Sequence, residues 1–186
     1  AFGDFNGDQR ADFASLRADG RALTVYLGTS SLGGSLSPTS SNPLSAEFGL
    51  LRGAGDLDGD GRSELVASGS GQFQVFFAGS TLAPVSRTRT SAFAAVGVDA
   101  EADGYFDLFG LASNQSAMHV YRARSTGLDT TARDITLDRS RVWLYAPYAG
   151  DFNGDGYGDV AAVTFSSPGL ILVSHGGPGS FGSTPT

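Results

Sequence analysis

Asp151, Asn153 and Asp155 alternate with Phe152 and Gly154, and Asp159 follows four residues on. Three short oxygen-bearing side chains at alternate positions let a tightly curled loop turn all three toward one centre. Hard divalent cations want this, and calcium in particular takes about six to eight oxygen ligands at about 2.3–2.6 Å, commonly including a backbone carbonyl. Gly156 permits the sharp turn that swings the carbonyl of Tyr157 inward, and Asp159 closes the shell.

The pattern recurs three more times. The segments read GDFNGDQRADFASL from Gly3, GDLDGDGRSELVAS from Gly55, DAEADGYFDLFGLA from Asp99 and GDFNGDGYGDVAAV from Gly150. Mapped position by position, the further ligand sets are Asp4, Asn6, Asp8 and Asp12 with the carbonyl of Arg10; Asp56, Asp58, Asp60 and Glu64 with that of Arg62; and Asp99, Glu101, Asp103 and Asp107 with that of Tyr105. Two copies depart from the rule. Gln9 stands where Gly would turn the chain in the first; in the third, Glu101 is longer than the usual Asp or Asn, and Ala102 replaces a Gly. Those two sites are expected to be weaker.

All but five of the 19 acids (Asp19, Glu47, Asp129, Asp134 and Asp138) lie in these loops. Crowded carboxylates raise one another's pKa and cost free energy unless a cation neutralises them. Up to four calcium ions would set eight positive charges against the formal net charge of −7. A single copy could instead be a polar Asx turn between strands, the lesser reading, and four copies in register speak for the metal. Magnesium demands stricter octahedral geometry, and an EF-hand would need flanking helices, of which the sequence carries no periodicity.

The elements that would position the loops repeat as well. The first acids, Asp4, Asp56, Asp99 and Asp151, are 52, 43 and 52 residues apart. After each loop comes an apolar strand (13–16, 65–67, 108–111, 160–163), then turn residues and a second strand (23–27, 73–77, 119–121, 170–173). Three loops are preceded by another apolar run (48–51, 93–98, 142–145), and only Ala1-Phe2 stands before the first. Polar stretches such as 85–90 and 132–137 would supply outer edge strands. Each unit therefore reads as a four-stranded antiparallel blade, and the fold as an all-β β-propeller of about four blades in this chain, either by themselves or as part of a larger ring. The units fall at about 1–45, 46–91, 92–139 and 140–186 of a single domain. A β-solenoid, whose repeats are usually shorter and more uniform, is the competing architecture.

Composition removes other chemistries. The chain has no Cys and no Lys, all 12 basic residues being Arg, so thiolate ligands, disulfides, a Cys nucleophile and a Lys Schiff base are excluded. The acidic balance argues against a nucleic-acid partner, and no apolar run reaches the ~18 residues of a membrane span. The two histidines, His119 and His175, have no partner that the sequence identifies. His119, mid-strand, is expected to be a hydrogen-bonded structural residue, and Trp143, Tyr145 and Tyr148 are expected to pack rather than to stack on a sugar. Asn114-Gln115-Ser116 fits a glycosylation pattern, and Arg87, Arg89, Arg122 and Arg124 read as a solvated strand edge.

The loop together with the apolar strand after it, best seen in GDFNGDGYGDVAAV, resembles the FG-GAP repeats of integrin α-subunit propellers and of many secreted proteins. The resemblance implies a loop that joins the first two strands of a blade and binds calcium. It implies an extracellular, secreted or cell-surface module for adhesion or recognition, non-catalytic, with a protein or glycan ligand and lectin-like binding as one form. It also implies further blades, from a longer chain or from a homodimer. The alternative is an accessory or catalytic propeller domain of a secreted polysaccharide-degrading enzyme.

Overall fold

The structure is a computed structural model that describes residues 1–30, 38–44, 46–69, 71–78, 87–90, 92–112, 117–125, 127–129, 133–136, 147–163, 169 and 171–179. Among them are fifteen strands and no helix. The strands are β1 (Phe2–Gly3), β2 (Asp12–Leu16), β3 (Ala22–Tyr26), β4 (Pro38–Pro43), β5 (Leu50–Gly55), β6 (Glu64–Gly69), β7 (Gln72–Phe76) and β8 (Arg87–Thr90). They continue with β9 (Ala92–Val98), β10 (Asp107–Ala112), β11 (Ala117–Tyr121), β12 (Arg133–Thr136), β13 (Tyr148–Gly150), β14 (Asp159–Val163) and β15 (Ile171–Ser174). They form four separate antiparallel meanders, β1-β2-β3-β4, β5-β6-β7-β8, β9-β10-β11-β12 and β13-β14-β15. The all-β class is as the sequence suggests.

Burial on both faces explains the unbroken apolar character of the middle strands. Along β6, Leu65 and Ala67 enter a core shared with Ala14, Leu23 and Val25 of the first sheet, while Val66 enters one shared with Ala95 and Leu108 of the third. Along β10, Leu108 faces the second sheet, and Phe109 and Leu111 face Val160 and Ala162 of the fourth. Each sheet thus packs on the next in chain order. The first strands also converge, since Leu50 of β5 reaches the core between the third and fourth sheets. Nearby, the Arg52 guanidinium donates to the Pro147 carbonyl at 3.1 Å and lies 5.5 Å from the centre of the Tyr148 ring.

Several local expectations change. The first unit does have an inner strand: β1 is short, but the mutual Ala1 and Ala14 backbone bonds at 2.8 and 2.9 Å lengthen its pairing with β2. The strand β4, with sequence PTSSNP, lacks any apolar signal and is set by pairing with β3 alone. The inner strand of the fourth sheet is Tyr148–Gly150, whereas the expected 142–145 run, with Trp143 and Tyr145, lies outside the described residues. So does Asn114-Gln115-Ser116. Tyr148 is not packed away but 55% exposed. On the outer faces of the two end sheets, Phe2 is 72% and Ile171 66% exposed.

Candidate metal centre

Each acidic loop connects the first two strands of its sheet, and one pattern of hydrogen bonds, fullest in the first, second and fourth, curls them. The first acid is the hub. In the second loop Asp56 accepts the N–H groups of Gly59 and Asp60 on Oδ1 at 2.6 and 3.1 Å and that of Gly61 on Oδ2 at 2.8 Å. Asp4 does the same for Gly7, Asp8 and Gln9, Asp151 for Gly154, Asp155 and Gly156, and Asp99 for Asp103 and Gly104. At the third position, Asn6, Asp58 and Asn153 accept from Asp8, Asp60 and Asp155. At the fifth, Asp8, Asp60, Asp103 and Asp155 hold the N–H groups of Arg10, Arg62, Tyr105 and Tyr157, the residues expected to offer carbonyls. The guanidinium groups of Arg10 and Arg62 also lie 3.0 and 3.7 Å from the exposed Asp8 and Asp60.

The curl demands left-handed backbone at the fourth and sixth positions of every loop. Six of these eight positions are Gly; the exceptions are Ala102 at φ 54° and Gln9 at φ 63°. A side chain there clashes with its own backbone. Ala102→Gly and Gln9→Gly are each expected to raise stability by about 0.5–1 kcal/mol, read from chemical denaturation midpoints at unchanged slope.

The ninth residue does something the sequence did not reveal. Asp12, Glu64, Asp107 and Asp159 are all buried, and each ties its loop to the end of the third strand. Glu64 accepts the N–H of Leu57 at 2.6 Å and of Ala78 at 3.2 Å. Asp12 holds Phe5 and Gly28, Asp159 holds Phe152 and Gly176, and Asp107 holds Ala123 and Ala100. These acids are clasps as well as candidate ligands, each oxygen keeping a lone pair free for a cation.

The loops are also linked to one another. The carbonyl of the first acid accepts the N–H of the eighth residue of the next loop: Asp4 from Ser63 at 2.7 Å, Asp56 from Phe106 at 2.8 Å and Asp99 from Gly158 at 2.8 Å. All four loops therefore run in sequence along one edge of the stacked sheets.

In the second loop, ligand oxygens of Asp56, Asp58 and Glu64 lie within 4.8 Å of one another. That donor set, all hard oxygen, suits calcium. Burial pushes the Glu64 carboxyl up to about 8 and the Asp107 carboxyl up to about 7, and burial followed by the neighbouring Asp60 raises Asp58. The folded protein thus favours protonated Glu64 while the unfolded chain loses that proton near 4.5. Stability contributed by the protonated form is present below pH 4.5 and lost as pH rises through about 8. In EGTA the melting temperature is expected to fall from about pH 5 to about pH 8, and a cation held by the anion would flatten that fall.

Both histidines have carboxylate partners that sequence distance had hidden. His119 Nδ1 lies 2.6 Å from Asp134 across the β11–β12 pair, so the residue is hydrogen-bonded, as expected. His175 Nδ1 lies 3.3 Å from Asp159.

No curated protein matches the sequence. Among solved structures, one described as the structural basis of specific recognition of non-reducing terminal N-acetylglucosamine by an Agrocybe aegerita lectin is similar in fold, with a TM-score of 0.61 at 16% identity. The match takes in 98% of this chain and 50% of the lectin, so the chain spans about half the length of that relative. The model of the FG-GAP-like repeat matches residues 4–67 and 99–162, two stretches that each begin at a first loop acid and contain two loops. With the repeated loop geometry and the four meander sheets, these matches show that the chain belongs to the FG-GAP-like repeat family.

Proposed function

We propose that the chain is a calcium-stabilised, non-catalytic recognition module, acting outside the cell and built as blades of a β-propeller that binds a glycan or a protein. The observation that carries the reading is the convergence of Asp56, Asp58 and Glu64 in a loop whose hydrogen-bonded curl recurs in the other three. Repetition favours a structural ion, since a catalytic centre is normally unique. Calcium bound in these loops would neutralise the acids along the edge where Asp4, Asp56 and Asp99 join one sheet to the next. Extracellular modules of modest affinity are filled by the roughly 0.1–1 mM calcium range such sites require.

The convergence of β5, β9 and β13 supports the propeller reading, and the exposed outer-face residues Phe2 and Ile171 support a ring continued by further blades, from a longer chain or a second copy. The lectin likeness supports a glycan as the first ligand class to examine, with N-acetylglucosamine-terminated sugars included in a glycan array.

The test is thermal unfolding in calcium and in EGTA at matched ionic strength. Free calcium at one hundred times the dissociation constant is expected to add about 2.7 kcal/mol per independent site. A melting temperature that drops in EGTA and is restored by calcium, not by magnesium, supports the reading. An unchanged melt means that the loops are hydrogen-bonded turns alone.

A further inference from the structure

The second and third loops carry four carboxylates each, yet only the second gathers three of them. Asp56, Asp58 and Glu64 meet, whereas among the described residues the equivalent Asp99, Glu101 and Asp107 form no such group. Among the described residues the first and fourth loops, with three carboxylates each and Asn at the third position, form no such group either, so what sets the third loop apart is the fate of its Glu101. Its carboxylate is ion-paired with the Arg122 guanidinium, and the pair is sheltered, with side-chain exposures of 7% for Glu101 and 29% for Arg122.

Arg122 comes from a specific place. It immediately precedes Ala123, whose N–H is clasped by Asp107 at 2.8 Å. In the other sheets the residue before the clasped N–H is Leu27, Phe77 or His175, since Gly28, Ala78 and Gly176 are the clasped residues. Only the third sheet places a permanent cation at this position, and only the third loop has Glu, the longest carboxylate, at its third position. The exposed Arg10 and Arg62 pairs differ in kind. Each is made two residues away within its own loop, to the fifth-position acid, and leaves Asn6 and Asp58 free to turn inward.

We propose that in the third loop the Arg122 guanidinium takes the place of the metal ion, so that the chain holds three calcium ions, not four, and the third loop keeps its curl without calcium. The Glu101 carboxylate is satisfied by a charge that the fold supplies permanently, and a guanidinium cannot be deprotonated away at any working pH. The calcium count rests on the calcium reading above; the Glu101–Arg122 coupling does not.

The experiment has two parts. Native mass spectrometry in calcium is expected to count three ions on the wild type, two on Asp60→Ala and three on Asp103→Ala. Four ions on the wild type, or an ion lost on Asp103→Ala, would overturn the proposal. In EGTA, Arg122→Leu is expected to lower the melting temperature, and Glu101→Gln to lower it little further in that background, because its partner is already gone. Fully additive losses, or no loss from Arg122→Leu, would also overturn it. Absence of calcium from every loop would defeat the calcium reading, while the coupling in EGTA still decides the role of Arg122.

Discussion

Asp107→Ala is expected to destabilise the protein by about 2–6 kcal/mol, in calcium and in EGTA alike. The Asp107 carboxylate is buried and accepts the N–H groups of Ala123 and Ala100, fastening the third loop to the end of β11. Alanine strands both donors in a site closed to water, at about 1–3 kcal/mol each. Asp107→Asn keeps one acceptor and turns an amide N–H₂ toward the other donor, so its loss is expected to be intermediate. Urea denaturation of the three proteins checks the order. Equal stability of the alanine variant and the wild type would show that the carboxylate costs as much to bury as its bonds return. Because burial holds the Asp107 carboxyl near 7, the penalty for alanine is expected to be larger at pH 6 than at pH 8.

Gly97→Ala is expected to cost about 3 kcal/mol or more, at the upper end of overpacking. Gly97 lies in β9 where that strand crosses β5, and a Cβ there would stand 1.7 Å from the Ala54 carbonyl oxygen and 2.4 Å from its carbon. Those are backbone atoms of Ala54, the fully buried residue of β5, so no side chain can swing aside. Gly49→Ala provides the control: a Cβ at that position meets nothing within 4 Å, and its effect is expected to stay within about 0.5 kcal/mol. Midpoints in urea separate the two. A Gly97 variant as stable as the Gly49 variant would mean that the second and third sheets can slide apart at no cost.

Much of the plan is written locally. Alternating Asp and Asn with Gly at the fourth and sixth positions specifies a curled loop through side-chain to backbone bonds spanning two to five residues, such as Asp56 to Gly59 and Gly61. The apolar runs after the loops specify strands buried on both faces, and β6 and β10 follow those runs with a residue or two added at each end. Even Gln9 and Ala102 were legible as misfits, because left-handed backbone is a local steric requirement.

What remained hidden depends on groups far apart in the chain. The polar strand β4 exists because β3 offers it an edge, not because PTSSNP favours extension. The ninth acids read as ligands closing a shell, but their second partners, Gly28, Ala78, Ala123 and Gly176, come from the far end of the next hairpin. Glu101 read as a long calcium ligand, since nothing in its own loop announces Arg122.

The sequence by itself determined the repeat, the curl of the loop and the family, because these rest on spacings and short-range bonds that one unit carries alone. Only the tertiary structure decided how the loops join edge to edge, which carboxylates are clasps and where Gly97 must be bare. Those features arise when separate sheets meet, and the burial that makes them strong exists only after they have met.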